Sequence, residues 1–400
     1  KAPATVEVQT VYGKEVLTMN GGNGKIFDGE KIFKDIISGR AGLTGYILRA
    51  GLRALSPVYA QGTAIRNAKY DKEGGITVPA PVISIGNITA GGTGKTPMVQ
   101  YVCRFFEEHD KHPVILSRGY KSKGADDITI VAEDGKLCAD TTTGGDEPVL
   151  LARELQHTGI IVGRKRTETA KVAINRLHGD VLVLDDGFQH RALNRNLDVV
   201  LIDAANPFGY DYVLPGGLLR EPLEGLKRAD VFVLTKTNLV GREDIFQIKR
   251  TLSKYAPGVP VVQTIHKPLG LFELHDWADG DKTELGDAYK DKKVLAVSGI
   301  GSPKSFTKTL TSLGYNVVGA VDLGDHHKYD TDSLVRIYAE MFATKPEVII
   351  TTEKDAVKLS QLAATDDLKI PILVLPIGIE FTEGEEKFCQ ILSTVGKVAK

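Results

Sequence analysis

The run VISIGNITAGGTGKTPMV, Val82 to Val99, constrains the fold of this chain more than any other stretch. An apolar segment suited to a buried strand leads into a glycine-rich turn, Gly91 to Thr96. The turn opens Pro97 to Glu108, where Val99, Val102, Cys103 and Phe106 recur at helical spacing. Small residues in such a turn let consecutive backbone N–H groups face a phosphate, and a following lysine reaches the outer phosphates. The next hydroxyl can hold magnesium, and the helix N-terminus favours an anion. We therefore expect Thr89, Ala90, Gly91, Gly92, Thr93, Gly94, Lys95 and Thr96 to bind a nucleotide. Thr89 stands where the general pattern has its first glycine, and Gly91 and Gly92 can supply that backbone freedom two residues later.

From residue 81 onward, Val/Ile/Leu runs alternate with helical patterns, the signature of a parallel sheet covered by helices. The runs are PVISIGN, PVILSRG, GIIVG, DVLVLDDG, LDVVLID, ADVFVLTK and PVVQTI, with a further helix over Arg166 to Leu177. A second α/β block starts near residue 290 with KKVLAVSGIGSP. The Asp, Gly and Lys content of residues 266–292 places the connection there. The expected organisation is an extension of unknown role over 1–40, a helical segment over 41–75, a nucleotide-binding P-loop domain over 76–265, the connection over 266–292, and a smaller α/β domain over 293–400.

A metal-holding acid is expected at the end of a neighbouring strand, and DVLVLDDGFQHR offers Asp185 and Asp186. Adjacent acids at a buried strand end repel unless a cation sits between them. Gln189 and His190 can point back into the same pocket. GGDEP puts Asp146 and Glu147 at a helix start, where acids are ordinarily caps; beside a magnesium nucleotide they could hold the metal or take a proton from a hydroxyl. VLTKTN is similar to the guanine-reading motif of GTPases, but Asn238 replaces its aspartate, which favours ATP.

A net charge of -1 on 400 residues gives no basic field for nucleic acid, and no nucleic-acid partner is expected. Three cysteines without CxxC spacing fit a reducing compartment and show no zinc site. Leu43 to Ala60 is apolar but carries Arg49, Arg53 and Pro57, too interrupted for a spanning helix. It reads either as an amphipathic helix on a membrane, with the arginines toward headgroups and Leu43, Ile47, Leu48, Leu52 and Leu55 toward acyl chains, or as a helix packed on its own domain.

GNITAGGTGKTP, LSRGYKSKG, GDEP, LDDGFQHR, LPGGLLREP, GIGSPKSF, DHHKY and TTEKDAVKL, in this order from about residue 46 to 380, resemble the tetraacyldisaccharide 4'-kinase family of lipid A biosynthesis. The first forty or so residues have no counterpart in that resemblance. It implies a P-loop NTPase-like, mostly parallel sheet domain, a smaller α/β domain and an N-terminal amphipathic membrane-associated helix. It also implies ATP-dependent phosphorylation of the 4'-hydroxyl of a tetraacylated glucosamine disaccharide 1-phosphate at the cytoplasmic face of the bacterial inner membrane. Carried over, Asp146 is the base and His326 its partner, with Asp325 nearby. Thr96, Glu147, Asp185, Asp186 and Gln189 surround Mg2+, and Lys95 meets the β- and γ-phosphates. His326 lies in the second domain, so a closing cleft is expected. Arg118, Lys121, His190 and Arg220 are substrate candidates, and a monomer is expected. The alternative is a P-loop GTPase or metallochaperone-type switch.

Overall fold

The computed structural model describes residues 4–10, 13–19, 29–119, 128–301, 303–325, 327, 329–362 and 368–397. Its chain divides into two compact units. The larger comprises Asp35–Leu271 and Leu375–Lys400, and the smaller Lys1–Lys34 and Phe272–Val374.

The strands in chain order are β1 (Ala4–Thr10), β2 (Gly13–Met19), β3 (Val82–Asn87), β4 (Pro113–Ser117), β5 (Thr129–Glu133), β6 (Lys136–Leu137), β7 (Gly159–Val162), β8 (Val181–Asp185) and β9 (Leu197–Asp203). They continue as β10 (Val231–Thr235), β11 (Val261–Pro268), β12 (Phe272–Glu273), β13 (Lys293–Ser298), β14 (Asn316–Asp322), β15 (Val348–Thr352), β16 (Ile372–Leu375) and β17 (Ile377–Glu383).

The larger unit is built on a ten-stranded sheet of order β17-β11-β10-β9-β3-β8-β4-β7-β5-β6. From β11 to β7 every pairing is parallel, and antiparallel strands close both edges. All seven apolar runs become these parallel strands. β3, β4, β7, β8 and β10 are buried along their whole length, because helices and connections cover both faces.

Helix α1 covers Gly29–Ser38, α2 Gly42–Glu73, α3 Lys95–Glu107, α4 Thr141–Gly144, α5 Asp146–Glu154 and α6 Arg166–Asn175. α3 buries Met98, Val99, Val102, Cys103, Phe105 and Phe106 and packs on β3 and β8. α6 lays Ala170 and Ala173, and the turn that follows it Leu177, into the cluster that includes Val114, Leu116, Ile161 and Leu182.

Two expected boundaries are corrected. Residues 266–292 are no plain connection, since β11 runs to Pro268, and β12 and the helix Leu274–Asp279 follow. Residues 375–400 belong with the larger unit, because β17 pairs antiparallel with β11 and the helix Glu385–Gly396 packs on α3. The smaller unit holds the five-stranded sheet β12-β16-β15-β13-β14, and the first forty residues include the antiparallel pair β1 and β2.

α2 is one 32-residue helix despite Pro57, and its orientation differs from the expectation. Its inward stripe is small or polar: Gly45, Ser56 and Thr63 are buried. Ser56 Oγ donates to Val213 O (2.8 Å) and accepts from Gly216 N–H (3.1 Å), which fixes the helix to the LPGGLLREP loop. The Arg53 guanidinium stacks 4.1 Å over the Tyr212 ring, so it faces protein rather than headgroups, and Leu52 is partly buried rather than lipid-facing. Leu43, Tyr46, Ile47, Leu48, Leu55, Val58 and Ile65 face outward, each more than half exposed. Among the described residues no helix is long and apolar enough to cross a membrane.

Candidate active site

The glycine-rich loop lies at the C-terminal end of β3, in the middle of the parallel sheet, where strand ends leave a crevice. Its backbone explains the missing glycine. Left-handed φ occurs at Gly91 (124°) and Gly94 (85°), whereas Thr89 needs none. Thr89 instead forms an antiparallel bridge with Leu219, and Ala90 N–H donates to Leu218 O at 2.7 Å. Thr89 thus extends the strand against LPGGLLREP, a conformation a threonine favours. Gly92 also lacks positive φ, so Gly91 alone supplies the freedom expected of the two.

Lys95 and Thr96 open α3, so the loop's N–H groups and the helix N-terminus face one site. Lys95 Nζ lies 3.4 Å from Asp186 Oδ1 and donates to Asn87 Oδ1 at 3.2 Å. Arg220 Nη1 lies 2.8 Å from each Asp186 oxygen, and Gln189 Oε1 accepts from the same nitrogen at 3.4 Å. Gln189 Nε2 donates to Asn87 O (2.9 Å) and Glu221 Oε1 (3.0 Å). The fully buried Glu221 also accepts from Asn67 of α2 and pairs with Arg228.

The two adjacent acids differ sharply. Burial would raise the Asp186 carboxyl, but Lys95 and Arg220 outweigh it and hold it well below the usual carboxylate range. Asp185, 6 % exposed, accepts one hydrogen bond from Ser117 Oγ at 3.2 Å. Burial, then the charges of Glu147 and Asp186, push its carboxyl up to about 7, against the pull of Lys95 and Arg166. A buried carboxyl raised by two neighbouring acids fits a divalent cation, which would relieve that repulsion. Among the described residues no cluster of three or more His, Cys, Asp or Glu could hold a metal alone. That suits magnesium, which takes one or two carboxylates and fills its octahedron with phosphate oxygens and water.

Asp146 and Glu147 are the first two residues of α5, entered through Gly145 (φ 88°), and both are partly buried. His190 lies among guanidinium groups. Burial first, then Arg166, Arg195, Arg118 and Arg66, lower its imidazole to about 4, so the ring is neutral at physiological pH. Its Nε2 is buried without a hydrogen-bond partner among the described residues. Arg118 is exposed just after β4. His326 and Lys121 fall outside the described residues.

Sequence reasoning missed four groups here: Asn87, Ser117, Arg166 and Glu221. Arg166 is 3 % exposed at the start of α6, and burial lowers its guanidinium to about 10. A basic residue at a helix start, opposed to the helix dipole, was the available signal.

A phosphate loop at the central strand ends, with a lysine, paired acids and arginines around it, defines a P-loop phosphotransferase. The family described as tetraacyldisaccharide-1-P 4'-kinase matches residues 48–397, and the chain belongs to that family. The chain is 37 % identical over 334 residues to the tetraacyldisaccharide 4'-kinase of Syntrophus aciditrophicus (strain SB), covering 82 % of this chain and 87 % of that one. With the tetraacyldisaccharide 4'-kinase of Halothermothrix orenii it shares 38 % over 328 residues, covering 79 % and 84 %. The fold is similar to the crystal structure of LpxK from Aquifex aeolicus in complex with ATP, with a TM-score of 0.67 and 31 % identity, covering 87 % of this chain and 99 % of that one.

Proposed function

We propose that this chain phosphorylates the 4'-hydroxyl of a tetraacyldisaccharide 1-phosphate with ATP, and that the site residues divide the work as follows. The carrying observation is Asp186 clamped between Lys95 and Arg220 beside the loop, with the buried Asp185 carboxyl next to it and raised by its acidic neighbours. The loop N–H groups and Lys95 bind the β- and γ-phosphates and stabilise the charge that grows as the γ-phosphoryl departs. Thr96, Glu147, Asp185, Asp186 and Gln189 would surround the cation, with one or two of the carboxylates holding it directly and the rest acting through water. When bound, magnesium neutralises phosphate charge and aligns the γ-phosphoryl group for in-line transfer. Asp146 takes the proton from the acceptor hydroxyl, with His326 as the partner that the family resemblance assigns.

The guanidinium groups around the neutral His190 support an anion-binding role toward the acceptor's 1-phosphate, with Arg118 and Lys121 as contacts. Arg220, occupied by Asp186, serves the nucleotide end. The outward apolar face of α2 supports an interfacial anchor on the membrane that carries the acceptor. We expect a monomer at the cytoplasmic face of the inner membrane.

The test uses purified protein, detergent-solubilised disaccharide 1-phosphate, magnesium and labelled ATP. Label should appear in the lipid, and GTP should compete weakly. No transfer where a family kinase works, with GTP binding far tighter than ATP, would instead favour a GTPase switch. Asp146→Asn should lower kcat by about 10²- to 10⁴-fold and leave the Kd for ATP nearly unchanged, since a base acts in the transition state. An unaltered kcat removes Asp146 from that role.

A further inference from the structure

We propose that Thr235 and Lys236, at the C-terminal end of β10, are positioning residues that aim the phosphate-binding loop, that Asp203 holds Lys236 in place, and that His266 backs the loop at Gly94. The inference rests on the reading of Gly91–Thr96 as the nucleotide loop. Lys236 Nζ donates to Gly92 O at 3.0 Å, and Thr235 Oγ1 donates to Thr93 O at 3.0 Å. Two successive loop carbonyls are therefore held by the end of one strand. In a trans peptide the N–H points opposite to the C=O. Fixing Gly92 O turns the Thr93 N–H away from β10, and fixing Thr93 O does the same for the Gly94 N–H. Among the described residues neither N–H has a protein acceptor, so both are left for a phosphate.

The brace is itself tied down. Lys236 has left-handed backbone (φ 58°), uncommon for a lysine, and its ammonium lies 2.5 Å from Asp203 Oδ2 at the end of β9. Both side chains are less than one-fifth exposed. On the adjacent β11, His266 blocks a third direction, since a Cβ on Gly94 would come within 2.7 Å of its Nε2. Among the described residues that nitrogen has no hydrogen-bond partner, and burial keeps the ring neutral. The lysine of VLTKTN, placed where GTPases read guanine, is here engaged with the loop backbone. Adjacent strands thus set the direction of the phosphate donors before any ligand arrives.

The test measures Kd for magnesium–ADP by calorimetry, KM for ATP and for the lipid acceptor, and thermal stability. The variants are Lys236→Met, Lys236→Arg, Thr235→Val and Thr235→Ser. Asp203→Asn is paired with Lys236→Met so that no lone buried carboxylate remains. Lys236→Met should weaken ADP about tenfold and raise the KM for ATP in step, with the lipid KM unchanged. Lys236→Arg should recover most of the loss. Thr235→Val should weaken ADP several-fold, and Thr235→Ser, which keeps the hydroxyl, should not.

A merely structural role would lower the melting temperature and the active fraction without moving either nucleotide constant. That outcome, or equal ADP affinity in folded Lys236→Met and wild type, overturns the brace. If Lys236→Met does not fold, equal affinity in Thr235→Val and Thr235→Ser overturns it. Wild-type protein that fails to bind ADP overturns the nucleotide reading and the brace together.

Discussion

Helices α2 and α3 sit in the same unit and are built on opposite plans. α3 hides its apolar stripe under the sheet and begins with Lys95, the lysine we propose for phosphate binding, so its burial positions the site. α2 hides glycine, serine and threonine and presents leucine, isoleucine, valine and tyrosine outward. Ordinary amphipathicity orients a helix by driving its apolar face into the core. α2 must be oriented by something else: the Ser56 hydrogen bonds, the Arg53–Tyr212 stack, and the Asn67 amide on Glu221. An apolar face that contributes little to folding remains available for another apolar phase.

The plans separate most sharply in stability. Phe106 is fully buried, and the helix Glu385–Gly396 approaches it so closely that a Cβ at Gly396 would collide with its ring. Phe106→Ala should cost about 3–5 kcal/mol, through lost burial and the cavity left behind. Urea denaturation of the two proteins reads this as a shift of midpoint at unchanged slope. A loss below about 1 kcal/mol would mean that α3 is not anchored by this ring.

Ser56→Ala comes next. The swap keeps the volume roughly constant and removes the hydroxyl that donates to Val213 O and accepts from Gly216 N–H, which retains only its bond to Val213 O at 3.1 Å. We expect about 0.5–1.5 kcal/mol. If Ser56→Ala is neutral, polar contacts do not seat α2, and the contrast between the helices loses its basis.

The same contrast explains how far the sequence could be read. Parallel strands such as VISIG and VLVLD were legible because burial on both faces leaves a continuous apolar run. β17 was not, since Gln263 pairs with Glu383 across 120 residues, and no local pattern in IGIEFTE names that partner. The apolar residues of α2 were legible, but Arg53 was assigned to the wrong side because an inward arginine stacked on a tyrosine looks, in sequence, like a solvated one. In the site, GGTGKT, LDDGFQ and GDEP were legible because each is a local chemical pattern. Asn87, Arg166, Glu221 and Lys236 do their work through partners on other strands and loops, and only the sheet order brings those partners together.

The smallest stability effect belongs to the outward face of α2. Ile47 and Val58 are 67 % and 68 % exposed, so Ile47→Glu or Val58→Glu should change folding stability by no more than about 0.5 kcal/mol. The expected cost appears elsewhere. Burying an exposed branched aliphatic side chain in an apolar phase is worth about 1.5–3 kcal/mol, so losing one should weaken vesicle binding about tenfold or more. Sedimentation with vesicles containing anionic lipid, set beside urea denaturation of the same variants, reads both quantities. A drop in vesicle binding at constant stability supports the interfacial reading. Unchanged vesicle binding with a loss of stability would mean that α2 folds like α3, against a protein surface, and would remove the proposed anchor.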